Sequence, residues 1–167
     1  MAGGLTLDVW IEQLERRQLP ILEHWLGRTA GAITPNDLPS NAGELESWFG
    51  MCAAEPGRLD CLALVYETPV GVAGLRQTVD RDTAELYLML GEVGYNLLRT
   101  AACVTLRMLD RAFSEAGIRR IAVRVGFQHS WFLDTLEQMG FSRTGTEAGI
   151  TALAVEKNSF LNRKYLF

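Results

Sequence analysis

Between Cys61 and Leu90 the chain carries three apolar segments in close succession, separated only by a few turn-forming residues. No other stretch limits the possible folds so sharply. The run from Cys61 to Tyr66 is continuously apolar and too short for an ordinary helix, so residues 60–67 read as a buried strand. Thr68 and Pro69 read as a hairpin turn, residues 70–78 as a second strand, Asp80 to Asp82 as a polar turn and residues 84–90 as a third strand. Strands joined by turns this short pair antiparallel, which commits the middle of the chain to a meander.

The hydrophobic period then changes. After a loop at 91–96, apolar residues recur at Ala102, Leu106, Leu109 and Phe113, a helical stripe that runs to residue 116 and stops at Gly117. Residues 120–125, rich in Ile and Val, read as a strand. Ser130 is placed to cap a helix with Phe132, Leu133 and Leu136 on its inner side, and Phe141 opens another strand, followed by one at 151–156. Upstream, residues 5–11 alternate as a half-buried strand, and residues 12–25 carry a helical face of Leu14, Ile21, Leu22 and Trp25, with Pro20 marking a kink or a break. A loop at 29–41 and a helix at 43–54 complete the order β, α, α, three antiparallel strands, α, β, α, β, β. The tail from Phe160 to Phe167 is rich in apolar residues that either pack on their own domain or dock on a second subunit as a homodimer contact.

Composition narrows the function classes. With 167 residues, 48% of them hydrophobic and 22% charged, the chain is expected to fold as one domain spanning 1–167 with a core of its own. A net charge of −4 gives no overall pull toward nucleic acid or anionic membrane. No apolar run approaches a membrane span, and the first residues lack a signal peptide's basic start, so a cytoplasmic protein is expected. Cys52, Cys61 and Cys103 are odd in number, without a CxxC pair, and read as free buried thiols rather than disulfides or zinc ligands.

Two C-terminal segments carry a resemblance. GIRRIAVRV at 117–125, followed by LEQMGF at 136–141, resembles the strand, helix and YEKLGF-like closing signature of the GNAT superfamily of N-acyltransferases, with Gly140 and Phe141 at its Gly-Phe pair. LEHWL at 22–26 and the pair Val70 and Gly71 resemble the ribosomal-protein and aminoglycoside acetyltransferase branches. The resemblance implies an α/β (α+β) fold: a mixed, mainly antiparallel central sheet of about six to seven strands with helices on both faces. It also implies acyl-CoA-dependent N-acyl transfer, with acetyl-CoA as co-substrate and a small-molecule amine or a peptide N-terminus as acceptor. The alternative is a family-like binding or regulatory protein without catalysis.

Residue roles follow from the same resemblance. The family holds the CoA pyrophosphate on backbone amides at the start of the central helix, where the helix dipole favours anions. Registered on Phe113, the Q/R-x-x-G-x-G/A motif falls on Asn96, Leu97, Leu98, Arg99, Thr100 and Ala101, with Ala102 following. Only Ala101 matches; Asn96 stands for Gln or Arg, and Arg99 for a glycine. Arg99 is either a direct phosphate contact or a solvated first-turn residue. The backbone of Leu88, Met89 and Leu90 would hold the pantetheine, and His129 and Phe132 would stand against the cofactor further on. Glu85 sits where many family members keep a catalytic base, and strand alternation puts Tyr87 on its face. The family's general-acid tyrosine is Leu136 here, so Tyr95 or water would have to serve. Glu85 is otherwise an ordinary surface carboxylate, and His129 a cap or core-edge residue.

Overall fold

The computed structural model describes residues 8–26, 31–32, 39, 41–91, 97–115 and 117–163. Strand β1 (Val9–Gln13) leads through a short 3-10 turn into α1 (Leu19–Trp25). Pro20 lies in the first turn of α1, where its missing N–H has no helical acceptor to lose, so it starts the helix rather than kinking it. A two-residue strand β2 (Gly31–Ala32) falls inside the stretch expected to be loop. Then come α2 (Leu45–Ala54), the meander β3 (Arg58–Val65), β4 (Thr68–Gln77) and β5 (Thr83–Leu90), and the long helix α3 (Leu97–Ser114). The chain continues through β6 (Arg120–Gly126), α4 (Leu133–Gln138), β7 (Ser142–Glu147), β8 (Ile150–Glu156) and α5 (Lys157–Arg163).

Several expectations shift locally: β1 runs on to Gln13 and α1 starts only at Leu19, so Leu14 lies between them rather than on the helix. The β3–β4 turn is Tyr66–Glu67, at φ 47° and 68°, while Thr68 and Pro69 already belong to β4. A two-residue hairpin whose twist matches its strands needs positive φ at both centres, and neither Tyr nor Glu announces that the way Asn-Gly does. Ser130 makes no cap; it lies inside a 3-10 segment, residues 127–132, that precedes α4.

The sheet runs β1-β3-β4-β5-β6-β8-β7, antiparallel at every neighbouring pair except β5 with β6, which are parallel. Strand alternation sorts side chains onto two cores. Ala84, Leu86, Leu88 and Leu90 of β5 face the buried row of α3, Val104, Met108 and Leu109, together with Leu136 and Phe141. Tyr87 and Met89 face the other way, against Leu22 and Trp25 of α1 and Trp48 and Cys52 of α2. The C-terminal helix closes on the first core, Phe160 lying 5.5 Å from Phe113 and only 1% exposed. The first aromatic of the tail therefore packs on its own chain, while residues 164–167 lie outside the described residues. Among the described residues no helix is long and apolar enough to cross a membrane. Cys52 and Cys61 are buried free thiols, pushed up by desolvation to about 12 and about 11, and Cys103 is half-buried.

A polar network is sealed between α2 and the sheet. The Tyr87 hydroxyl donates to Asp60 Oδ1 at 2.6 Å, and the Arg58 Nε donates to the same carboxylate at 3.1 Å. Arg58 and Asp60 are 8% and 9% exposed, so each charge depends on the other for compensation. The Tyr87 ring can reach Asp60 because Gly74 lies between them on β4 and has no side chain. A Cβ there would overlap the ring. Gly74→Ala is expected to lower the unfolding free energy by roughly 1–3 kcal/mol, the cost of overpacking a closed core. Urea denaturation checks this as a lower midpoint at unchanged slope.

Candidate active site

Hydrogen-bond direction along β5 decides what its outer edge offers. The Gly91 N–H donates to Val70 O, and the Thr78 N–H to Thr83 O, so odd-numbered residues of β5 turn their backbone groups toward β4. Asp82 O accepts from Arg119 and Arg120, so even-numbered residues turn theirs toward β6. Pairing with β6 ends at Leu86↔Val123. Beyond it, β2 takes up the same edge, Gly31 opposite Leu90 and Ala32 opposite Met89. Tyr87 and Leu88 lie between these two partners with no strand beside them among the described residues. By alternation it is the N–H and C=O of Leu88 that aim into this gap.

The gap opens at the carboxyl ends of the two parallel strands, the end at which α/β sheets collect ligands. Helix α3 starts there after β5, and the 3-10 segment carrying His129 starts there after β6. The first described turn of α3, from Leu97, holds no carboxylate to repel an anion. Trp25 of α1 lies across Gly91, so α1 presses on the exit of β5.

The residues singled out in the sequence separate by position. Glu85 sits just before the strands part, on the α1/α2 face, with Oε1 3.5 Å from the Arg124 Nε of β6; their side chains are 31% and 41% exposed. Tyr87 shares that face but lines no opening: it is 2% exposed, its phenol is committed to Asp60, and burial holds its ionisation well above the usual tyrosine value. The side chains of Leu88, Met89 and Leu90 are buried, leaving only backbone to a ligand. In α3, Leu98 is exposed and Leu97, Arg99 and Ala102 are half-buried, while Thr100 and Ala101 are buried. Tyr95 and Asn96 lie outside the described residues. Phe132 and Leu136 are 1% and 0% exposed and belong to the core on the α3 side of the sheet.

His129 is half-buried beside Trp131, ring centroids 6.3 Å apart at 87°, and its Nδ1 is buried with no hydrogen-bond partner among the described residues. Alternation in RIAVRV sets Arg124 on the face opposite Val123 and Val125, but no motif marks it as a site residue. Its neighbour Glu85 across the parallel pair is visible only once β5 and β6 are registered. Among the described residues no three His, Cys, Asp or Glu side chains gather where they could hold a metal.

This architecture, with its parted parallel pair, is the GNAT fold of N-acetyltransferases. It matches the crystal structure of spermidine N-acetyltransferase from Vibrio cholerae in complex with CoA and spermine at a TM-score of 0.74 and 16% identity, covering 93% of this chain and 99% of that one. A dodecameric structure of the Vibrio cholerae enzyme in an intermediate state matches at 0.75 and 15%, covering 93% and 98%. At such identities the likeness is one of fold. No family model and no curated protein sequence matches the chain.

Burial holds the His129 imidazole below its ordinary value of 6.5. Its folded form therefore takes up a proton less readily than its unfolded form, and the unfolded state binds more protons as pH falls through about 6.5. The contribution is present above that pH and lost below it. His129→Gln is expected to flatten the decline of the denaturation midpoint between about pH 7 and pH 5, measured by urea titrations across that range.

Proposed function

We propose that the protein is an acyl-CoA-dependent N-acetyltransferase acting on a primary amine. The observation that carries this is the gap at Leu88. A sheet edge with one inward-aimed N–H and C=O is flanked by a helix start and stands beside a carboxylate on the acceptor face. These groups fit acetyl-CoA in kind. The Leu88 backbone can exchange hydrogen bonds with an amide-bearing arm as a strand would. The first-turn amides of α3 with Arg99 can take phosphate. The pairing of Leu90 with β2 shortens the edge, so Leu88, rather than the run from Leu88 to Leu90, is the residue expected to serve. Acetyl-CoA supplies an activated thioester.

Glu85 is the base in this reading. Transfer forms a bond from the amine nitrogen to the acetyl carbon and breaks that carbon's bond to sulfur. The proton lost by the amine passes to Glu85, directly or through water, and the departing CoA thiolate ends as the thiol. A buried Leu136 offers no proton to that thiolate, and a thiol with an ordinary pKa of about 8.5 is a tolerable leaving group at neutral pH without one. The structural neighbours act on and bind polyamines by their descriptions, which makes spermidine and spermine the first acceptors to try.

Acetyl-CoA is expected to raise the melting temperature in proportion to the logarithm of its concentration above Kd. With an acceptor identified, Glu85→Gln is expected to keep that shift while lowering kcat about a hundredfold or more, followed by CoA release. A protein that gives neither heat nor thermal shift with millimolar acetyl-CoA is a binding or regulatory relative instead.

A further inference from the structure

Arg124 lies where no polyamine would want it. It is the first residue of β6 past the last pair with β5, on the same sheet face as Glu85. It also lines a cavity of about 450 Å³ over the open side of β6, β8 and β7, beside Thr144, Thr146, Ile150 and Ala152. The core under α1 and α2 holds no residue of the β7–β8 hairpin, so among the described residues the cavity stays open, with Arg124 between it and Glu85.

The guanidinium is under-used. Its Nε approaches Glu85 Oε1 at 3.5 Å, close enough for ionic attraction but outside hydrogen-bond geometry, and that Nε is buried without any hydrogen-bond partner among the described residues. A planar fork whose buried Nε has no hydrogen-bond partner among the described residues, at the edge of an open cavity, is suited to a carboxylate. Glu85, alongside it, is suited to an ammonium. Together they present a positive and a negative group side by side, the inverse of an α-amino acid, whose amine and carboxylate sit on adjacent carbons.

We infer that the acceptor is an α-amino acid or a molecule ending in one, its carboxylate held by Arg124 and its amine presented to Glu85. This rests on the transferase reading above and names its substrate class. A polyamine would instead set a second cation against Arg124, and like charges at such a separation repel. Glu147 at the cavity's lip is exposed and leaves that local preference in place.

The test compares proteinogenic L-amino acids, each against its own amide, with spermidine as a further acceptor, by CoA release and by saturation-transfer NMR. For at least one amino acid, kcat/KM is expected to exceed that of the amide by about ten- to a hundredfold, the worth of one charged hydrogen bond. Arg124→Gln should collapse that ratio toward one, mainly through KM, and Arg124→Lys should restore only part of it. Equal use of acids and amides, a preference for spermidine, or an unchanged ratio in Arg124→Gln overturns the inference. If no amine is acetylated, the NMR arm still decides. Amino-acid binding lost in Arg124→Gln upholds the site while removing the transferase reading, and no amino-acid binding to the wild-type protein overturns the site whatever acetyl-CoA does.

Discussion

Pairing between β5 and β6 holds from Thr83 to Leu86 against Arg120 to Val123 and then stops, because each strand follows a different antiparallel partner. Beyond Leu86, β5 stays bonded to β4 as far as Gly71↔Leu90; beyond Val123, β6 stays bonded to β8 as far as Gly126↔Ile150. Both strands keep their twist toward the partner they retain, so the two halves of the sheet separate. Everything of chemical interest gathers where they part. Leu88 turns its backbone into the opening, α3 and the His129 segment begin beside it, and Glu85 and Arg124 meet just below it.

The rest of the molecule holds that opening in shape. Helix α3 fills one face of β3 to β5 with Val104, Met108 and Leu109, fixing the direction in which β5 leaves the sheet. On the other face, Tyr87 is anchored across Gly74 to Asp60 and Arg58, a buried ionic network that ties β3, β4 and β5 into one rigid leaf. Such a network is weak as a source of net stability and costly to break, since losing one member strands a charge in the core. Through Tyr87, the neighbour of Leu88, it ties the gap's edge to β3 and β4.

The two faces of the opening differ in character. On the α3 side lies the start of a helix whose first described turn carries half-buried Arg99 and no carboxylate. On the α1/α2 side are the partly exposed carboxylate of Glu85 and guanidinium of Arg124, the latter also lining a cavity beyond β6. A donor and an acceptor molecule approaching from opposite faces would meet at Leu88. The proposed reaction would then be a direct transfer, with no residue needed to carry the acyl group between them.

Much of this was legible in the residues. Apolar runs of strand length between Cys61 and Leu90, the stripe from Ala102 to Phe113 and the Gly140–Phe141 stop gave the element order, because periods of two and of 3.6 are printed directly in a sequence. Alternation also placed Glu85, Tyr87 and Met89 on one face correctly. What alternation cannot tell is which of three same-face residues is covered: α2 and the missing side chain at Gly74 bury Tyr87, while Glu85, at the edge of that cover, stays accessible. Positive-φ residues at Tyr66 and Glu67, the short strand β2 on the edge of β5, and the meeting of Glu85 with Arg124 left no local mark, since each depends on where distant strands end. The sequence by itself determined the elements and their faces, because those follow from the chain's own periodicity; only the tertiary structure decided where two parallel strands let go of each other, because that is set by competition between partners far apart in the chain.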